Sequence, residues 1–284
     1  MKIYDCFTFF NEFDILELRL QELWDTVDYF VISEANITHQ NKDKPYYLED
    51  NWARFEKYAS KIRHIKVDDM PRSSHTWDNE RFQRRVLARG LTDLQPEDIV
   101  VVSDCDEIPR PEALEMIKED ANDYDRYILA IPLNYYKINY MMINPCFKQN
   151  NIMVTRGRAF TDPQREREMT FNTANLPMHY ASASLCVIEH GGWHFTYFGD
   201  TNHALNKIKS FAHDETDVPQ IVNNLDVERM VANKVGLLGD SYPERFEYIT
   251  IDEYFPKTIT ENLDKWAHMI VQGKTKNIYE IYPE

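Results

Sequence analysis

Asp98-Ile99-Val100-Val101-Val102-Ser103-Asp104-Cys105-Asp106-Glu107-Ile108-Pro109 is an apolar, β-branched run that ends in three carboxylates and a proline. It is far too short to span a bilayer and reads as a strand buried on both faces, the kind that builds parallel sheets. Pro109 steers Ile108 away from helix, which leaves the acidic residues at the strand's carboxyl end. Ligands of open parallel sheets bind there. Clustered carboxylates repel one another unless a cation joins them. In extended backbone Asp104 and Asp106 point the same way, so both would reach one metal–diphosphate unit. A solvated acidic loop has the same letters; the buried strand before it favours the metal.

Outward from this run, strand and helix signals alternate. Residues 2–10, 27–34 and 62–67 read as strands. Asn11 is placed to cap a helix with Asp14 three residues on, and Leu16, Leu20, Leu23 and Trp24 form its apolar face. Residues 76–89 predict a helix closed by Gly90 as its C′ residue, and Pro111 opens another. The expected class is α/β, with a mostly parallel central sheet flanked by helices. The second half is less regular: strands at 127–136, 151–155 and 185–189, helices at 202–213 and 260–271, and a polar loop at 163–175. One domain is expected over 1–284.

Composition limits the partners. Thirty-two basic against 47 acidic residues give a net charge of −15, which disfavours nucleic acid and anionic lipid. Hydrophobic residues make up 43%, enough for a substantial core. Neither a dinucleotide-binding nor a P-loop glycine pattern occurs. Cys6, Cys105, Cys146 and Cys186 show no C-x-x-C spacing, against a disulfide framework or a structural zinc site. With no signal-peptide pattern or membrane-spanning run, the expected location is the cytoplasm.

Asp104-x-Asp106-Glu107-Ile108-Pro109 resembles the metal-binding segment of glycosyltransferase family 17, the group with bisecting N-acetylglucosaminyltransferase activity. Further resemblance lies in Tyr4-Asp5-Cys6-Phe7 through Leu20, in Val27 through Ala35, and in Trp77-x-x-Glu80-x-x-Gln83-Arg84. Gly192-Trp193-His194-Phe195-Thr196-Tyr197-Phe198-Gly199 and Lys209-Ser210-Phe211-Ala212-His213-x-Glu215 are similar to its late signature. The resemblance implies a GT-A-like fold, with a nucleotide-sugar-binding half at 1–115 and an acceptor-side half at 116–284. It further implies a UDP-sugar donor, UDP-N-acetylglucosamine in the known activity, a Mn²⁺ or Mg²⁺ ion, inversion at the anomeric carbon, and a glycan or lipid-linked saccharide acceptor.

On that resemblance Asp104, Asp106 and His194 are the expected metal ligands, His194 otherwise being a core histidine. Phe9, Asn11, Glu12, Glu34, Arg84, Asp104 and Lys209 are expected around the donor. Asn11 would serve equally as a cap, and Lys209 equally in solvent. Arg81, Arg85 and Arg89 form a stripe that a solvated face explains as well. Glu215 is the expected general base, with Glu107 and Glu80 as rivals. Trp193 suits either a sugar face or the core, and Gly191-Gly192 are read as letting backbone approach a ligand. The best-known family members carry a Golgi membrane anchor. This chain opens near its first strand, suggesting a microbial or viral relative with a cytoplasmic acceptor. Two other readings use the same letters: a phosphohydrolase with Asp104 as nucleophile, and an inactive carbohydrate-binding relative.

Overall fold

The computed structural model describes residues 1–143, 149–172, 184–212, 214–237 and 244–281. Cys146, His213 and positions 173–175 of the polar stretch lie outside them. Among the described residues the strands are β1 (Ile3–Thr8), β2 (Tyr29–Ala35), β3 (Ile62–Val67), β4 (Ile99–Asp104), β5 (Glu107–Pro109) and β6 (Arg126–Ile131). They continue as β7 (Leu133–Tyr135), β8 (Tyr140–Met142), β9 (Gln149–Arg156), β10 (Leu185–Glu189), β11 (Gly192–Thr196) and β12 (Phe246–Tyr248). A seven-stranded sheet runs β10-β6-β9-β4-β1-β2-β3, and a five-stranded sheet runs β12-β8-β7-β11-β5. In the larger sheet β9 alone runs against its neighbours. The expected mostly parallel α/β core is therefore present.

β1 lies between β2 and β4, so the strand order reverses at β1. Such a reversal opens a crevice at the carboxyl ends of the two diverging strands. That crevice is bounded by Thr8 and Asp104, which are register partners across β1 and β4. Val100, Val101 and Val102 are fully buried, as a strand covered on both faces requires.

The smaller sheet is absent from the sequence expectation, and it assembles the site. The run 127–136 is two strands rather than one, because Pro132 ends β6 and β7 starts in the other sheet. β5 follows β4 after a two-residue turn at Cys105 and Asp106 and pairs antiparallel with β11, with Glu107 opposite His194. The Phe195 N–H donates to the Asp106 carbonyl at 2.8 Å. This pairing brings position 106 beside position 194.

Several local expectations are corrected. The residue at the N-cap of the helix Phe13–Glu22 is Glu12, not Asn11, and its side chain does not cap that helix. Gly90 is not left-handed; it is small because a Cβ there would lie 2.5 Å from Val31 Cγ1. Gly191 and Gly192 admit the protein's own chain rather than a ligand: added Cβ atoms would lie 2.7 Å from Leu129 Cβ and 2.3 Å from the Ile108 carbonyl oxygen. The polar stretch from 163 is a helix, Pro163–Asn172, with Gln164, Glu166 and Arg167 buried. Its polar face packs against charged groups, so it shows no apolar periodicity. The helix expected over 260–271 is the short turns Lys257–Thr260, Leu263–Trp266 and Ala267–Met269. Among the described residues no helix is long and apolar enough to cross a membrane.

Candidate active site

A cleft of about 660 Å³ opens at the carboxyl ends of β1, β2 and β4. Its floor is the turn that carries Asp104 and Asp106. Because Cys105 and Asp106 turn rather than extend, the two aspartates face different partners. Asp104 Oδ1 accepts from Arg84 at 2.8 Å and its Oδ2 from Arg167 at 3.0 Å. Arg167 also grips Glu107 with two bonds of 2.8 Å, a bidentate pair, and Glu107 Oε2 accepts the Asp104 N–H at 2.9 Å. Burial would raise the Asp104 pKa, but Arg167 and Arg84 hold it well below the ordinary carboxylate value.

Asp106 is only 6% exposed. Its Oδ2 accepts from Lys207 and its Oδ1 lies 3.6 Å from His194 Nε2. Burial would push its pKa up; Lys207 and His194 outweigh that and hold it down. Lys207 projects from the helix Thr201–Ile208, whose first turn is capped by Asp200. Its own pKa is lowered by burial and raised more strongly by Asp106 and Glu12.

Beneath the turn, Arg19 is fully buried and paired with Asp5. It donates to the carbonyls of Asp104 and Glu107, each at 2.8 Å, and to Ser103 Oγ at 2.7 Å. One guanidinium thus fixes the backbone of the acidic segment from below.

Among the described residues no group of three or more His, Cys, Asp and Glu side chains is gathered to hold a metal ion. A divalent ion that keeps waters and substrate phosphates needs only one or two protein ligands. Asp106 Oδ1 and His194 Nε2, a carboxylate oxygen and an imidazole nitrogen facing one another, fit that requirement. Asp104 has an arginine on each oxygen.

The other expected residues separate clearly. Phe9, Glu12 and Arg84 line the cleft. Asn11 lines a second cleft behind it. Glu34 is fully buried outside the cleft lining, where it pairs with Lys44 at 3.3 Å and His64 at 3.1 Å; Lys44 faces the cleft in its place. Lys209 is exposed and outside both clefts, while Lys207, two residues earlier, lines both. Helical spacing could have chosen between them, since Lys207 adjoins the buried Ala204 and Ile208 and Lys209 follows the helix end. Glu215 is exposed and outside the described lining of both clefts, while its neighbour Thr216 lines the first. Trp193 is core: 1% exposed, with Nε1 donating to the Tyr254 carbonyl at 2.9 Å. Arg167, which the sequence reading missed, sits at the centre of the charge network.

The model of glycosyltransferase family 17 matches residues 1–261. The chain belongs to glycosyltransferase family 17. Among curated relatives of this family 17 chain are the β-1,4-mannosyl-glycoprotein 4-β-N-acetylglucosaminyltransferases of Homo sapiens and Rattus norvegicus. Each is 29% identical over 116 residues, 38% of this chain and 22% of the relative. The chain thus matches about a fifth of those proteins' length. Solved structures similar to the family 17 chain include S. aureus TarS 1-349, at 12% identity and a TM-score of 0.40, covering 74% of this chain and 64% of that one. Another is the inositol-1-phosphate CTP transferase of T. maritima, at 9% identity and a TM-score of 0.37, covering 66% and 84%.

Proposed function

We propose that this family 17 chain, on a GT-A-like frame, transfers a sugar from a nucleotide-sugar donor to a saccharide hydroxyl with inversion. UDP-N-acetylglucosamine is the first candidate donor, and a glycan or lipid-linked saccharide in the cytoplasm the acceptor. The observation that carries the reading is the buried Asp106, flanked by Lys207 and His194, at the mouth of the strand-order reversal. The β1–β2 end of the cleft, with Phe9, Phe10, Thr38 and Lys44, suits the nucleoside. The diphosphate would then lie toward Lys207 and Arg81. Breaking the sugar–phosphate bond leaves negative charge on the diphosphate, which these cations oppose in a partly dry site. A Mn²⁺ or Mg²⁺ ion held by Asp106 and His194 would add charge stabilisation there. Asp104, with each oxygen on an arginine, is poorly placed to attack phosphorus, which disfavours the phosphohydrolase reading.

Calorimetric titration of UDP-N-acetylglucosamine with Mn²⁺, repeated with EDTA and beside UDP-glucose, UDP-galactose and GDP-mannose, tests the reading. Metal-dependent binding of one UDP-sugar is expected; binding of none overturns it. In the same assay Lys207→Met should weaken donor binding at least about tenfold, the loss of one charge-assisted contact. Lys209→Met should leave it within about twofold. Equal effects would remove Lys207 from the donor site.

A further inference from the structure

A second cleft, of about 430 Å³, lies behind the first. The two share four lining residues among those described: Glu12, Asp106, Tyr197 and Lys207. Displacement with inversion needs just such a layout. The attacking oxygen and the leaving diphosphate must approach one carbon from opposite faces, so two entries have to meet at one point. We propose that the second cleft receives the saccharide acceptor, and that Glu12, at the junction, takes the proton from its attacking hydroxyl. The proposal rests on the sugar-transfer reading above.

The lining suits a sugar. Phe13 and Phe198 offer aromatic faces for its C–H surface, and Asp200, His203 and His268 offer polar edges for its hydroxyls. At the junction, Asp106 is committed to Lys207 and His194. Glu12 is the remaining shared carboxylate. Its Oε2 accepts the N–H groups of Phe10 and Asn11 at 3.1 and 3.0 Å, which folds the side chain back over the end of β1. The carboxylate makes no capping bond to the helix it precedes, and the two N–H groups hold it at the meeting of the clefts. Tyr197 completes the dividing wall in a left-handed backbone, φ 51°, that a bulky residue rarely adopts. Lys207 Nζ lies 5.4 Å from the centre of its ring.

The step balances without a further reactant. The acceptor O–H proton passes to the Glu12 carboxylate while its oxygen bonds the anomeric carbon. The bond from that carbon to the diphosphate oxygen breaks, and its electron pair leaves with the nucleoside diphosphate.

The test uses the whole chain with UDP and Mn²⁺ present. Saturation-transfer NMR reads binding of the methyl β-glycosides of mannose, galactose and glucose. A signal from at least one is expected, and it should be lost when the rim is filled by His203→Trp with His268→Trp, while UDP-N-acetylglucosamine affinity stays within about twofold. With the glycoside that binds, Glu12→Gln keeps an acceptor for the two N–H groups. It should lower UDP release from UDP-N-acetylglucosamine at least about 100-fold at unchanged donor affinity. No glycoside signal, a signal indifferent to the rim, or a Glu12→Gln loss confined to donor affinity overturns the proposal. If UDP-N-acetylglucosamine fails to bind the wild type, the transfer reading fails and this one with it. Donor binding with any of the preceding failures sinks this one alone.

Discussion

Asp106→Asn is expected to lower sugar transfer by roughly a thousandfold or more, the scale of removing a principal charge-stabilising group from an active site. The substitution keeps the shape of the side chain and removes the charge that Lys207 and His194 face. Both would lose the anion that holds them at the junction, and the proposed ion would lose its carboxylate ligand. Asp106 accepts from Lys207 at the site, with His194 3.6 Å away, and the β5–β11 pairing beside it runs through main chain. The thermal midpoint should therefore stay within a few degrees of wild type, on the order of the shift from about 1 kcal/mol. Transfer assays beside calorimetric donor titrations would separate the two effects. Transfer within tenfold of wild type would remove Asp106 from the chemistry.

The second large effect belongs to Arg19. Arg19→Met should destabilise the fold by about 3–5 kcal/mol, because it leaves Asp5 charged and unpaired in the interior. It also removes the Arg19 donor from the Asp104 carbonyl and the Ser103 hydroxyl, and leaves the Glu107 carbonyl with the Ser103 O–H as its remaining side-chain donor. Pairing it with Asp5→Leu removes the orphaned charge and should recover much of the stability. Donor binding should not recover with it, since the acidic segment still lacks its underside. Urea unfolding and donor titration of both variants check this. A double variant that regains both would reduce Arg19 to half of an ion pair, with no hold on the segment above.

How far these features were legible varies with what each residue contacts. β4 could be read because β-branched residues buried on both faces leave a pattern in sequence, and the carboxylates at its end follow from that. Arg19 left a trace: it falls on the same helical face as Leu16, Leu20 and Leu23, a charge in an apolar stripe. Arg167 left none. The helix that carries it is polar because its partners are Asp104, Glu107 and Arg126, and buried ion pairs have no periodicity of their own. The smaller sheet was illegible for another reason. β5, β7, β8 and β12 are three residues each, too short for alternation to register, and only their long-range pairing defines them. Glu34 was misjudged because a strand-end carboxylate reads alike whether it meets a ligand or, as here, a lysine and a histidine.

The two-residue turn between β4 and β5 has a consequence for the growing chain. It places Asp104, Asp106 and Glu107 together early, while their partners Arg167, His194 and Lys207 come from far downstream. About a hundred residues separate Asp106 from Lys207, which at ordinary synthesis speeds is roughly 5–20 s. From within the amino-terminal half itself, Arg84 pairs with Asp104, and Arg19, paired with Asp5, donates to the carbonyls of Asp104 and Glu107. The charge network around the acidic segment therefore cannot be complete before Lys207 has been made.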